Sequence, residues 1–243
     1  FRPRRSIVVA YSGDEETTMK TSKLIAERLR DAHIVLNVDG ASGLLAEETG
    51  EPLYWTWQGA EKTYATFELT ATNRGGHSSR PRPDNAIYDL AKAVTRIGEY
   101  RFPVMSNDLT RSYLGAVGKV TPGPAGAALR AFAANPQDGP AADAIAGSGE
   151  FVGTTRTTCV ATMLDAGHAE NALPQKASAT VNCRIFPDVA VEDVRQQLVK
   201  LVANPRIDVT LTAPSVVSPV SELRPDVEQA ITRSIHKRYP GVP

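Results

Sequence analysis

The run TYATFELTAT, Thr63–Thr72, constrains the fold more than any other part of the sequence. Small or apolar residues alternate with more polar ones along it, which is typical of a strand with one buried face and one wet face. Strands of this kind belong to antiparallel sheets, because the strands of parallel sheets are usually covered on both faces. We therefore expect a domain built on an antiparallel sheet to begin near residue 60.

The segments after this strand predict how that domain is completed. We expect Asp84 to cap a helix, because apolar residues recur at helical spacing from Ile87 to Ile97. Residues 104–150 are interpreted as a helical insertion, with short helical windows at 126–134 and 141–146. Two antiparallel strands, a helix and a last strand should then occupy residues 154–164, 177–186, 191–203 and 206–212. This order of elements is that of a ferredoxin-like split βαβ sandwich.

The first 59 residues show a different pattern. The runs Ile7–Tyr11 and Ile34–Val38 are β-branched and lack polar alternation, which favours parallel strands buried on both faces. Residues 17–31 between them have helical periodicity, so the sequence predicts one right-handed βαβ unit. We assign residues 1–59, together with a returning segment at 216–243, to an α/β catalytic domain, and residues 60–215 to the second domain.

Three carboxylates, Asp14, Glu15 and Glu16, follow the first predicted strand, and Asp39 follows the second. The carboxyl ends of parallel strands open onto one edge of a sheet, where such folds bind ligands. A cation between Glu15 and Glu16 would relieve their repulsion, and carboxylates are ordinary zinc ligands. The alternative is that these acids only complement the positive end of the following helix. Local spacing leaves both interpretations open.

Three further residues attract attention in the second domain. His77 follows two glycines in NRGGHSSRP, where it could donate a hydrogen bond to a developing oxyanion. Asn171 and Arg184 are donors suited to a carbonyl or a carboxylate. Each also has an ordinary explanation, as a surface histidine, a loop-capping asparagine and a salt-bridged strand arginine. His168, in the loop of Asn171, is interpreted as a solvated turn residue.

The composition narrows the class of partner. Lys plus Arg and Asp plus Glu number 27 each, so no net charge favours a polyanion, and nucleic acid is not expected as a partner. The longest apolar runs have the length of strands, well short of the roughly 20 residues of a membrane span. No targeting segment is recognisable, so the compartment is left open.

Five motifs in order, SGDEE, NVDGAS, GGHSSRP, AGHAENALP and ATVNCRIFPD, resemble the di-zinc metallopeptidase family of aminoacylases, glutamate carboxypeptidase and succinyl-diaminopimelate desuccinylase. Within that family, the five motifs most resemble those of the carboxypeptidase S and N-acyl-amino-acid hydrolase branch. The resemblance implies a zinc-exopeptidase-like parallel-sheet catalytic domain, interrupted by a ferredoxin-like lid domain that also forms a homodimer. It implies a hydrolase that cleaves an amide bond next to a free carboxylate, in a small peptide or an N-acyl amino acid.

The resemblance also implies roles for the six candidate residues. Glu15 matches the general base, and Glu16 and Asp39 match zinc ligands, although the chain has DGAS where the branch often has Asp-Glu-Gly-Gly. His77 matches the lid histidine that reaches the partner subunit's active site. The substrate would be held by Asn171 and Arg184, with Arg184 at its terminal carboxylate.

Part of the family's zinc-ligand set has no match here, including the His-x-Asp motif, the bridging carboxylate and the last histidine. We therefore interpret the chain as truncated at both ends and expect two zinc ions in the intact protein but no hydrolysis by the fragment. The competing interpretation is a non-catalytic dimerisation or binding module, or a homologue that has lost its metals.

The two cysteines allow a prediction of register. If the strands around Asn171 are symmetric about it, Cys159 faces Cys183 across the pair. Either a disulfide or two buried thiols would fit that position.

Overall fold

The computed structural model describes residues 3–39, 43–217 and 219–243. The chain divides into two compact units, Phe1–Ala41 and Ser42–Pro243. Residues 40–42, where the sequence departs from the family motif, lie outside the described residues.

The first unit contains one helix, α1 (Lys20–Arg28), among its described residues. The prediction of strands at Ile7–Tyr11 and Ile34–Val38 was wrong. Neither run is paired into a sheet, and side chains such as Val9 are 70% exposed. Strands are stabilised by hydrogen bonds to a neighbour, and the described residues of this unit supply none. The predicted parallel βαβ unit is therefore not formed by these residues.

The second unit begins with two short strands, β1 (Gly43–Leu45) and β2 (Pro52–Trp55), which pair with each other. The long strand β3 (Thr63–Thr72) follows, with the bounds that its alternation predicts. Its apolar residues Ala65, Phe67 and Leu69 are at most 1% exposed. The short strand β4 (Gly76–His77) comes next.

Helix α2 (Ala86–Glu99) begins one residue later than predicted, because Asn85 and not Asp84 is its N-cap. The Asn85 side-chain oxygen accepts hydrogen bonds from the backbone N–H groups of Ile87 and Tyr88, at 2.9 and 3.4 Å. Asp84 instead accepts from the Arg82 guanidinium, with Nε to Oδ1 at 2.9 Å. Satisfying the free N–H groups of a helix start in this way stabilises the fold by about 1 kcal/mol.

The insertion is helical, as expected, and contains α3 (Asp108–Val120), α4 (Gly123–Ala134) and α5 (Gly139–Ala146). A 3₁₀ turn, Val152–Thr154, follows it. It has its own apolar core around Leu114, Leu129 and Phe132. Gly126 allows the close approach of this core's backbone, because a Cβ there would lie 1.9 Å from the carbonyl oxygen of Thr121. Helix α3 was not among the predicted windows.

The remaining elements close the sandwich: β5 (Thr158–Ala166), β6 (Ala172–Leu173), β7 (Lys176–Ile185), α6 (Val191–Val202), β8 (Ile207–Leu211) and α7 (Pro225–His236). The four-stranded sheet has the order β5-β7-β3-β8 and is antiparallel throughout. Helices α2 and α6 pack on one of its faces and share its core. This confirms the ferredoxin-like arrangement and the mixed helix and sheet class.

Cys159 and Cys183 are direct partners across β5 and β7, so the register predicted from the symmetry about Asn171 is confirmed. The two residues form a disulfide, with their Cα atoms 4.1 Å apart. Of the two alternatives, the structure contains the bonded one.

Candidate functional site

His77 lies on the short strand β4, which follows the end of β3 in the chain and belongs to a separate two-stranded sheet with β6. Gly75 and Gly76 precede it with φ angles of 72° and 152°, which residues with a side chain rarely adopt. A Cβ at Gly75 would also lie 2.7 Å from Cγ of Gln175. This turn lets β4 pair with β6, where His77 faces Ala172.

The His77 imidazole is held by its own loop. Its Nδ1 atom accepts a hydrogen bond from the Ser79 backbone N–H at 3.2 Å and lies 2.8 Å from the Ser79 hydroxyl. A ring nitrogen that accepts a backbone hydrogen bond carries no proton in the neutral form, so the proton is on Nε2. The exposed ring therefore presents Nε2–H as a donor, at the edge of an open concavity of about 590 Å³.

Asn171 lies beside this histidine. Its backbone carbonyl accepts a hydrogen bond from the Ser78 N–H at 2.9 Å, and it directly precedes β6, the strand that pairs with β4. The structure thus brings together two of the predicted site residues, both of them solvent-exposed.

A partly buried ion pair, Arg82 with Asp84, stabilises the loop between His77 and α2. The Arg82 guanidinium donates to the Asp84 carboxylate and, at 2.9 Å, to the Gly75 carbonyl. Hydrogen bonding from Arg82 is the main cause that lowers the pKa of Asp84 from 3.8 to about 2. The ion pair therefore joins the glycine turn before His77 to the start of α2.

Arg184 is not part of this group. It lies near the end of β7, opposite Tyr64 and Thr158, with its guanidinium carbon 4.7 Å from the centre of the Tyr64 ring. Lys176, at the start of the same strand, is eight residues away, which corresponds to roughly 26 Å of extended chain. Asn171 and Arg184, both predicted to bind substrate, thus lie towards opposite ends of β7.

The carboxylates of the first unit are solvent-exposed or nearly so. The carboxylate of Asp14 accepts hydrogen bonds from the backbone N–H groups of Lys20 and Thr21, at 2.8 and 3.0 Å, so it caps α1. Hydrogen bonds from the Thr18 and Thr21 hydroxyls are the main cause that lowers the pKa of Asp14 from 3.8 to about 2. For Asp14, the helix-terminus explanation is the one the structure supports.

Glu15 and Glu16 lie in the loop between Asp14 and α1, and Asp39 donates its backbone N–H to the Asn37 side chain at 3.0 Å. Within the described ranges, no group of three or more His, Cys, Asp or Glu residues is placed to hold a metal ion. The described residues of this chain thus do not form a zinc site by themselves.

Lys62 is a candidate site residue that the sequence did not predict. Its half-buried Nζ donates to the carbonyl of Arg156 at 2.9 Å and to Oγ1 of Thr158 at 3.4 Å. Burial, and secondly the charge of Arg184, lower its pKa from 10.5 to about 8. It also lines a cavity of about 460 Å³ between the sandwich and the insertion. The one available signal was its position two residues before Tyr64, which by strand alternation directs it to the same side as the wet face of β3.

Across the described part of the chain, the structure contains no helix long and apolar enough to span a bilayer.

These features define an α+β domain that presents a histidine from a glycine turn and an arginine from a sheet face. Residues 59–209 match the model of the M20 peptidase dimerisation domain, and the chain belongs to that family. The family resemblance predicted from the five motifs is therefore confirmed.

Curated relatives extend the similarity beyond residues 59–209. The whole chain is 25% identical to a probable carboxypeptidase S-like protein from Dictyostelium discoideum, of which it covers 48%. It is 26% identical to an N-fatty-acyl-amino acid synthase/hydrolase from Xenopus tropicalis, again covering 48% of that protein. The chain thus spans about half the length of the curated relatives it matches.

Among solved structures, the chain is similar to an M20 family metallo-carboxypeptidase from Sulfolobus solfataricus, at 19% identity and a TM-score of 0.49. The similarity covers 81% of this chain and 53% of that one.

Proposed function

We propose that the intact protein is a zinc-dependent hydrolase that cleaves an amide or peptide bond next to a free carboxylate. The family match and the names of the relatives, a carboxypeptidase and an acyl-amino acid hydrolase, support this class. The observation that carries the proposal is the His77 ring, whose Nδ1 accepts from Ser79 and whose Nε2–H is free to donate to an oxyanion.

In this proposal the remaining candidates keep the roles that the resemblance implies. Glu15 is the general base, and Asn171 and Arg184 hold the substrate. Glu16 and Asp39 would contribute to the zinc site, but two carboxylates do not suffice, because catalytic zinc takes three protein ligands and a water. The other ligands must come from outside this sequence, and the chain by itself is not expected to hydrolyse substrate.

We also propose that two copies pair through the lid. Strand β5 is an edge of the sheet and carries exposed apolar side chains, with Met163 and Leu164 each 68% exposed. Unpaired edges of this kind are templates for another strand. A homodimer would cover them.

The separation of His77 and Arg184 supports an active site shared between subunits. A dipeptide or N-acyl amino acid spans on the order of 10 Å when extended, at about 3.4 Å per residue. The roughly 26 Å between the two ends of β7 is therefore too long for His77 and Arg184 of one lid to hold the same substrate. His77 and Asn171 of one subunit would act with Arg184 of the other.

The domain limits follow the same proposal. Residues 60–215 would form the lid, and residues 1–59 and 216–243 would belong to the catalytic domain.

The test is a metal analysis of the full-length protein, combined with an assay against N-acyl amino acids, dipeptides and their methyl esters. Two zinc ions per chain and cleavage only of substrates with a free carboxylate are expected. A full-length protein that binds no metal and cleaves nothing would contradict the proposal and favour a binding module. Sedimentation of the chain should give a dimer, and Met163→Lys should make it a monomer.

A further inference from the structure

Two cations lie next to each other on the wet face of the sheet, at the end opposite His77. Arg184 is the register partner of both Tyr64 and Thr158, and the Nζ of Lys62 donates to the Thr158 hydroxyl at 3.4 Å. The charge of Arg184 is felt at Lys62, where it contributes to the lowered pKa. Lys62 and Arg184, here called the cation pair, therefore share one small region.

Among the described residues, no carboxylate lies within 4 Å of either member of the cation pair, since neither takes part in any ion pair there. Glu61 and Glu150 line the cavity next to Lys62 without reaching it at that distance. Two adjacent cations, one of them half-buried, raise the free energy of the folded protein unless an anion joins them.

The donors of the cation pair are arranged for such an anion. The ammonium of Lys62 has three N–H donors, and its two acceptors among the described residues, the Arg156 carbonyl and the Thr158 hydroxyl, leave one donor for a ligand. The guanidinium of Arg184 stacks on Tyr64, which holds it in place and leaves its edge for a planar carboxylate.

The segment that contacts Lys62 also favours an anion at this place. Arg156, which supplies the carbonyl for Lys62, is only 6% exposed, and its Nε has no hydrogen-bond partner among the described residues. A buried guanidinium nitrogen without a partner is costly in a complete site. This corner of the lid is thus rich in positive charge and in donors, and poor in acceptors.

We propose that Lys62 and Arg184 together bind the free carboxylate of the substrate, and that Lys62 is a specificity-determining residue of the lid. The identity of the anion rests on the proposed function, whereas the cation pair does not. Lys62 lines the cavity of about 460 Å³, so a ligand can reach it from solvent. Charge-assisted hydrogen bonds to a carboxylate would offset the repulsion between the two cations.

The direct test is titration of the chain with N-acetyl-leucine, followed by NMR of the lysine Cε and Nζ resonances. N-acetyl-leucine methyl ester and inorganic phosphate are the comparison probes. The Lys62 resonances should shift with the carboxylate and not with the ester. Lys62→Met should weaken binding by about 10- to 100-fold, Lys62→Arg should weaken it less, and exposed Lys92→Met should leave it unchanged.

The pH dependence gives a second readout. Binding should weaken as the pH rises through about 8, where free Lys62 loses its proton, and this weakening should be absent in Lys62→Arg. Equal binding by Lys62→Met and the unchanged chain would overturn the proposal. So would equal binding of acid and ester, or tighter binding of phosphate. Lys62→Arg keeps the test valid if Lys62→Met fails to fold.

Failure here is distinguishable from failure of the proposed function. If the full-length protein cleaves no amide while the chain binds carboxylate through Lys62, the cation pair stands and the function is wrong. If the full-length Lys62→Met enzyme keeps an unchanged KM on N-acyl amino acids, the function stands and this inference is wrong.

Discussion

The two ends of the four-stranded sheet are held by opposite physical means. At the His77 end, glycine backbone conformations and a backbone N–H donor orient an imidazole that presents Nε2–H. At the Arg184 end, a stacked guanidinium and a half-buried ammonium place positive charge where no described carboxylate balances it. The first end is suited to receive charge that develops during a reaction, and the second to bind charge that a ligand already carries. Both ends are joined by the long strands of one sheet, whose apolar face packs on α2 and α6.

Removal of the shared core should give the largest effect. Phe67 is fully buried at the centre of β3, so Phe67→Ala should lower the free energy of unfolding by about 3–5 kcal/mol. Urea unfolding should be followed with tryptophan fluorescence, which includes Trp57 at the cavity of Lys62, and with the His77 proton resonance for the other end.

Both probes should lose their signal at the same, lowered urea concentration, because the two ends belong to one cooperative sheet. The exposed Val199→Ala is the control and should change stability by less than about 0.5 kcal/mol. Separate midpoints for the two probes would show that the ends are independent units.

The second largest effect concerns the different catalytic roles proposed for His77 and Arg184. Under the proposed function, His77→Ala in the full-length protein should lower kcat by about 10²–10³-fold with little change in KM, because it would remove a donor that acts on the transition state. Arg184→Met should mainly raise KM, since it removes a contact to a carboxylate that is present in the ground state as well.

His168→Ala, in the exposed loop of Asn171, is the matched histidine control and should keep both constants. A large rise in KM for His77→Ala with unchanged kcat would reverse the roles assigned to the two ends.

How far the sequence predicted this molecule depends on the range of the interactions concerned. The bounds of strand β3 were predicted to the residue. A strand buried on one face requires alternation of apolar and polar residues, and this alternation is visible within the ten residues themselves. The facing of Cys159 and Cys183 followed from symmetry about one loop. In both cases the information lay within the segment itself.

The features that were not predicted correctly depend on interactions with distant parts of the chain. Ile7–Tyr11 has the composition of a buried strand, but a strand also needs a neighbour, which no local pattern guarantees. Helix α3 contains Gly115 and Gly118, which lower its intrinsic propensity, and it is supported by packing on α4. Lys62 is half-buried by residues some 94 positions away, so its environment was invisible in the sequence.

Lys62 sharpens the comparison through the pH dependence of stability. Its folded pKa of about 8 lies below the ordinary value of 10.5, so the unfolded chain binds more protons between these values. Stability must therefore rise with pH across this window and be lowest below it. We discount the full shift because part of the side chain is exposed, and expect a gain of about 1–2 kcal/mol.

The measurement is thermal or urea unfolding of the unchanged chain and of Lys62→Met from pH 7 to 10.5. Their difference should change over this range, whereas the difference between the unchanged chain and Lys92→Met should stay flat. A flat difference for Lys62→Met would mean that its ammonium is well solvated, and the contrast between the charged and neutral ends would be lost.

The smallest effect concerns the loop that carries His77, where Asn85 and Asp84 are adjacent but act differently. Asn85→Ala removes the cap of α2 and should lower stability by about 1 kcal/mol at any pH between 4 and 8, because an amide does not titrate. Asp84→Ala removes a carboxyl whose pKa Arg82 lowers from 3.8 to about 2. Its stabilising effect should be present above pH 4 and disappear as the pH falls towards 2, since the carboxylate is then protonated. Urea unfolding of the two variants at pH 2.5, 4 and 6 separates them. Unchanged stability of Asn85→Ala at all three pH values would show that Asn85 is not the cap of α2.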